Sequence, residues 1–122
     1  MEIWSGHIIP WPASANTVNN RKVIMTQLNK QQHECAIIAI EEMAELTQVL
    51  TKMIRFGYTN KDTEDLCPIP DSLTRLHLVQ EIGDVRCMIK LLHNTFGIDY
   101  SDTDKAIEHK QNKLMKWSSL YE

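Results

Sequence analysis

"ECAIIAIEEMAELTQVLTKMIRF", residues 34–56, contains no Pro and no Gly, and its apolar residues recur every three to four positions. That spacing marks an amphipathic helix. On a wheel at about 100° per residue with Glu41 at zero, Ile38, Val49, Met53, Leu46, Ala39, Leu50, Met43 and Ile54 fill an arc from roughly 60° to 220°. Glu42 falls inside that arc at about 100°, and Glu45 sits at its edge at about 40° beside Ile38. Glu41 and Glu34 lie on the polar side. Charged side chains are almost never fully buried without a partner, so Glu42 is aimed where a carboxylate costs stability.

The helical pattern reaches back to Arg21 without a breaker, which predicts a helix over 21–56 ended by Gly57. A second helix is predicted over 72–96, capped by Asp71 or Ser72 and ended by Gly97. A third is predicted over 102–117, with Ser101 as cap, acids in its first turn and lysines toward its end, as the helix dipole favours. Residues 1–20 hold Gly6, Pro10 and Pro12 and read as an irregular arm with Trp4 and Trp11 as anchors, while 57–71 reads as a loop. No β-type alternation persists and no repeat is visible. The chain therefore reads as one all-α domain, residues 1–122.

The second helix repeats the anomaly. With Glu81 at zero, Leu92, Val85, Leu78, Phe96, Ile89 and Ile82 span roughly 20° to 100°, and Met88, Leu91 and Leu73 roughly 280° to 340°. Glu81 lies in the middle of this stripe and Asp84 within it at about 300°, while Arg75, Arg86 and Lys90 lie opposite. Each helix thus turns two acids, spaced i and i+3, toward its apolar face. If the faces meet, Glu42, Glu45, Glu81 and Asp84 converge. Two unit charges about 4 Å apart repel by roughly 4 kcal/mol at an effective dielectric of 20. The cluster needs protons, basic partners or a cation. A single such glutamate is ordinarily solvated or paired with Arg or Lys. Two spaced pairs centred on apolar stripes, with the nearby cations facing away, favour a metal. An all-oxygen set suits a hard divalent ion, Mg²⁺ or Mn²⁺. A di-iron carboxylate bundle needs Glu-x-x-His pairs, and none occurs here. The five histidines read as surface or packing residues.

The remaining composition narrows the class. The chain of 122 residues is 43% hydrophobic and 24% charged, with net charge −3, so it carries no electrostatic footprint for a nucleic-acid polymer. The apolar run "AIIAI" (36–40) is far too short to span a bilayer, and the N-terminal residues lack the basic region of a signal peptide. Cys35, Cys67 and Cys87 are odd in number, form no CxxC pair and read as small apolar residues in a reduced, cytoplasmic setting.

"EEMAE" (41–45) followed by "EIGD" (81–84) resembles the Glu-Glu-x-x-Glu…Glu-x-x-Asp signature of MazG-like, all-α nucleoside triphosphate pyrophosphohydrolases, relatives of the dimeric dUTPases. The likeness runs through "AIEEMAELTQVLTKMIRFG" and "HLVQEIGDVRCMIKLLHNTFGI" to "IEHKQNKLMKW", roughly residues 30–117. The resemblance implies an antiparallel helical bundle and Mg²⁺-dependent hydrolysis of a (d)NTP to monophosphate and pyrophosphate. It implies Glu42, Glu45, Glu81 and Asp84 as metal ligands, and it places Lys110 and Lys113 where relatives contact phosphate. Glu41 matches the first Glu of the signature, and Glu41 or Glu45 is the expected general base. The sequence departs from the pattern in its longer 57–71 link and its unmatched arm, and no base-binding residue is assigned, although Trp4, Trp11, Gln27 and Gln31 are the available aromatics and amides. Three helices of this size cannot readily wrap a nucleotide and bury their stripes, so a homodimer or homotetramer is expected. The competing expectations are a narrower dUTPase or dCTPase and a catalytically silent helical adaptor.

Overall fold

The computed structural model describes residues 25–60 and 72–122. In chain order they form α1 (Lys30–Phe56), β1 (Tyr58–Thr59), β2 (Leu73–Thr74), α2 (Arg75–Phe96) and α3 (Tyr100–Trp117). Helix dominates, as the periodicity requires, and the all-α class holds. The arm at 1–20 and most of the expected 57–71 loop lie outside the described residues.

The first helix begins later than its lack of breakers suggested, with residues 25–29 not helical. Its start is fixed by a reciprocal cap. The Asn29 side chain accepts from the Gln32 backbone N–H at 2.8 Å, and the Gln32 side chain accepts from the Asn29 N–H at 3.0 Å. Its end is fixed by Gly57 at φ 101° and ψ 171°, whose N–H donates to the Met53 carbonyl at 3.0 Å. That conformation is essentially restricted to glycine. A Cβ there would meet Ser72 Cβ only at 3.9 Å, so the obstacle to substitution is the backbone and not space. Gly57→Ala is expected to cost about 1–3 kcal/mol, measured as a lower denaturant midpoint.

The sequence showed no strand, yet β1 and β2 pair in parallel with Tyr58 opposite Leu73 and Thr59 opposite Thr74. Each has two residues, too short for any alternation to register. The pair moves the start of the second helix beyond the expected Asp71 or Ser72, to Thr74 as N-cap. Thr74 is almost fully buried. Its hydroxyl accepts from the His77 N–H at 3.4 Å and lies 2.9 Å from His77 Nδ1.

Gln32 Nε2 donates to the Thr95 carbonyl at 3.3 Å, joining the start of α1 to the end of α2, so the two helices run antiparallel. Between them Cys35, Ala39 and Met88 are buried, with Leu92 packed against them. Ala39, 2% exposed, is the smallest and most buried side chain of this cluster. Gly97, at φ 63°, closes α2, and the Ile98 N–H donates to the His93 carbonyl at 2.9 Å. The buried His93 ring stacks on Tyr100 at 4.0 Å, with Nδ1 2.8 Å from the Ile98 carbonyl. The elements from residue 28 to residue 102 form one compact unit, while residues from Thr103 onward belong to another. In that second unit α3 continues to Trp117 with Lys116 in its last turn, as the dipole favours.

Candidate functional site

The antiparallel packing of α1 and α2 brings their acidic pairs together. One carboxylate oxygen from each of Glu42, Glu45 and Glu81 lies within 4.8 Å of the others. Glu42 and Glu81 are half-buried and Glu45 is exposed. Glu42 Oε2 and Glu81 Oε2 are both shut off from solvent, and neither has a hydrogen-bond partner among the described residues. Buried acceptors are ordinarily satisfied, so these two oxygens call for a proton or a bound cation. Among the described residues no ion pair answers Glu42, Glu45, Glu81 or Asp84. Arg75, Arg86 and Lys90 are exposed.

Asp84 is exposed and falls outside the three-oxygen group. Its charge nevertheless reaches Glu42. Desolvation by burial raises the Glu42 carboxyl above its ordinary value of 4.5, reinforced in order by Glu45, Asp84, Glu81 and Glu41. Glu41 is exposed on the polar side of α1 and has the smallest of these effects. An oxygen-only donor set with two orphaned buried oxygens fits a hard divalent cation such as Mg²⁺ or Mn²⁺.

The raised carboxyl has a consequence for stability. The folded, metal-free protein holds the Glu42 proton more tightly than the unfolded chain does. This contribution is therefore fully present below the ordinary pKa of 4.5 and is lost as pH rises through the raised one. Melting in chelator is expected to show a higher midpoint at the acid end of that window. Glu42→Gln should flatten this dependence, and an unchanged slope in the variant would contradict it.

Lys110 and Lys113 fall on α3 in the second unit, each engaged in interactions of its own. The described histidines behave as packing and surface groups: His93 and His77 serve the turns described above, His33 and His109 are exposed, and His7 lies outside the described residues. Of the cysteines, Cys35 is the expected small core residue, Cys87 is exposed instead, and Cys67 lies outside the described residues. Trp4 and Trp11 lie there too, while Gln27 and Gln31 are exposed.

Glu34 is exposed, as its place on the polar side of α1 requires, and with Gln31 it borders an open cavity of about 290 Å³ between α1 and α2. Residues 34, 38 and 42 follow one another along α1 at single-turn intervals. No helix among the described residues is long and apolar enough to cross a membrane. Comparison with protein-family models, with curated proteins and with solved structures gives no match to this chain.

Proposed function

We propose that the protein is a nucleoside triphosphate pyrophosphohydrolase of the MazG-like kind, converting a (d)NTP to its monophosphate and pyrophosphate. The observation that carries this reading is the convergence of Glu42, Glu45 and Glu81, two of them with buried oxygens that nothing among the described residues satisfies. The two-helix signature in which these residues stand supports it.

Glu42, Glu45, Glu81 and Asp84 would hold the divalent cation. When bound, it supplies charge neutralisation for the phosphate oxygens. The chain's own residues do the rest. Glu45, exposed at the edge of the cluster, or Glu41 beside it, takes the proton of the attacking water. The α–β anhydride bond breaks, the hydroxyl stays on the attacked phosphorus, and pyrophosphate leaves. The resemblance assigns Lys110 and Lys113 to phosphate contact, the kind of mobile cation suited to it. The reading is tested by a panel of canonical and modified (d)NTPs with and without Mg²⁺. Mg²⁺-dependent pyrophosphate is expected, and orthophosphate as sole product would overturn it. A single dUTP or dCTP preference in the same panel would identify a narrower enzyme.

The assembly we propose is a homodimer or homotetramer. Ile40 is 66% exposed and Ile54 87% exposed, and both lie with Ile37 on a face of α1 turned away from α2. On the wheel these residues fall at roughly 220° to 320°, against about 100° to 160° for Glu42, Cys35 and Ala39. A second copy of the chain would cover this stripe. Ile40→Glu combined with Ile54→Glu is expected to convert the oligomer to monomer in light scattering. A wild-type monomer at micromolar concentration would contradict the assembly.

A further inference from the structure

The cavity between α1 and α2 lies on the same faces of the two helices as the acids. Ile38, Met88, Leu91 and the buried Cys35 give it apolar walls. Ile38 is one turn before Glu42 and Met88 one turn after Asp84. Because the helices are antiparallel, both steps lead away from the carboxylates in the same direction. Glu34 precedes Glu42 by eight residues, about 12 Å along the axis at 1.5 Å per residue. Cavity and acids therefore lie on the same helix faces about 12 Å apart along α1, on the scale that separates a nucleotide's base from its polyphosphate. At about 290 Å³ the cavity is near the lower end of small-molecule sites. Open to solvent, it has room for a planar heterocycle lying on its apolar lining rather than for a whole nucleotide.

The polar groups at the cavity are mostly acceptors. Glu34 and Gln31 have no hydrogen-bond partner among the described residues. The Thr95 hydroxyl donates its proton to the Leu91 carbonyl at 2.7 Å, leaving only its lone pairs for a ligand. An ionised carboxylate accepts and cannot donate, whereas the Gln31 amide does both. We propose that this cavity receives the base and that Glu34 makes it selective for bases with two adjacent N–H donors, the pattern of guanine. The guanine ring N1–H and exocyclic amino group would both donate to the Glu34 carboxylate, and the Gln31 amide would donate to O6. Thymine and uracil flank a single N–H with two carbonyls and set oxygen against oxygen. Cytosine and adenine place one amino group beside a ring acceptor. The proposal rests on the pyrophosphohydrolase reading for the polyphosphate end of the groove, but base discrimination is measurable without turnover.

Titration calorimetry with dGMP, dAMP, dCMP and dTMP, on the wild type, Glu34→Gln and Glu42→Gln, tests it. The wild type is expected to bind dGMP at least about tenfold more tightly than dTMP, the scale of one bidentate base contact. Glu34→Gln should bring the two within about threefold, and Glu42→Gln should keep the preference. Equal binding, a pyrimidine preference, absence of binding, or a preference retained in Glu34→Gln would each overturn the proposal. The triphosphate panel separates the two readings. Guanine selectivity without pyrophosphate release refutes the activity and leaves the pocket, and pyrophosphate release without discrimination does the reverse.

Discussion

Glu42→Gln is expected to lower kcat/KM for pyrophosphate release by at least about a thousandfold while raising the thermal midpoint of the metal-free protein. The two effects have one cause. The side chain sits half-buried among like charges, with Oε2 closed to solvent and without a partner. Neutral glutamine keeps the volume, removes the charge and brings an amide N–H able to donate to the orphaned Glu81 oxygen. A residue kept for stability would show the opposite sign, so a gain of a few degrees in the inactive variant is the diagnostic result. Asp84→Asn should also abolish turnover. Because Asp84 is exposed, its midpoint should scarcely move. Full activity in either variant would refute the site.

Met88→Ala should have the largest effect on folding. Among the described residues Met88 is one of three buried apolar side chains, at 7% exposure, and lies within the cluster that Leu92 packs against. Truncating a buried methionine costs about 2–5 kcal/mol. In a unit of this size that lowers the thermal midpoint by about 10 °C or more. Met88→Leu conserves volume and should cost less than about 1.5 kcal/mol. Chemical denaturation of both variants measures the difference. A loss below about 1 kcal/mol for Met88→Ala would show that the helix contact is held elsewhere.

The helices and their glycine ends were legible because apolar period and left-handed backbone needs are local properties. Gly57 and Gly97 both stand where expected. The inward aim of Glu42 and Glu81 was legible for the same reason, since a wheel records which side of a helix a residue occupies. The two-residue parallel pair was not legible, because a strand that short leaves no alternation, and its partners are separated in sequence by the intervening link. The Thr74 cap was hidden behind it: its reciprocal partner is His77, where the familiar capping box has Glu or Gln. The late start of α1 is encoded in the Asn29 and Gln32 pair, which stops the helix where no Pro or Gly stands upstream to do so. Periodicity also cannot say which half of a wide stripe a neighbour covers. Ile54 belongs to the same apolar arc as Val49, yet it is largely exposed while Val49 is half-buried. The solvated side of Glu34 was legible from the wheel, and the open cavity it borders was not, because a cavity is a property of two facing helices.

Anomalous diffraction from crystals soaked in Mn²⁺ tests the central claim most directly. The expected result is a peak between α1 and α2, contacted by oxygens of Glu42, Glu45 and Glu81, with Asp84 turned toward it. Crystals in which Mn²⁺ leaves that space empty, with the four side chains directed to solvent, would contradict it.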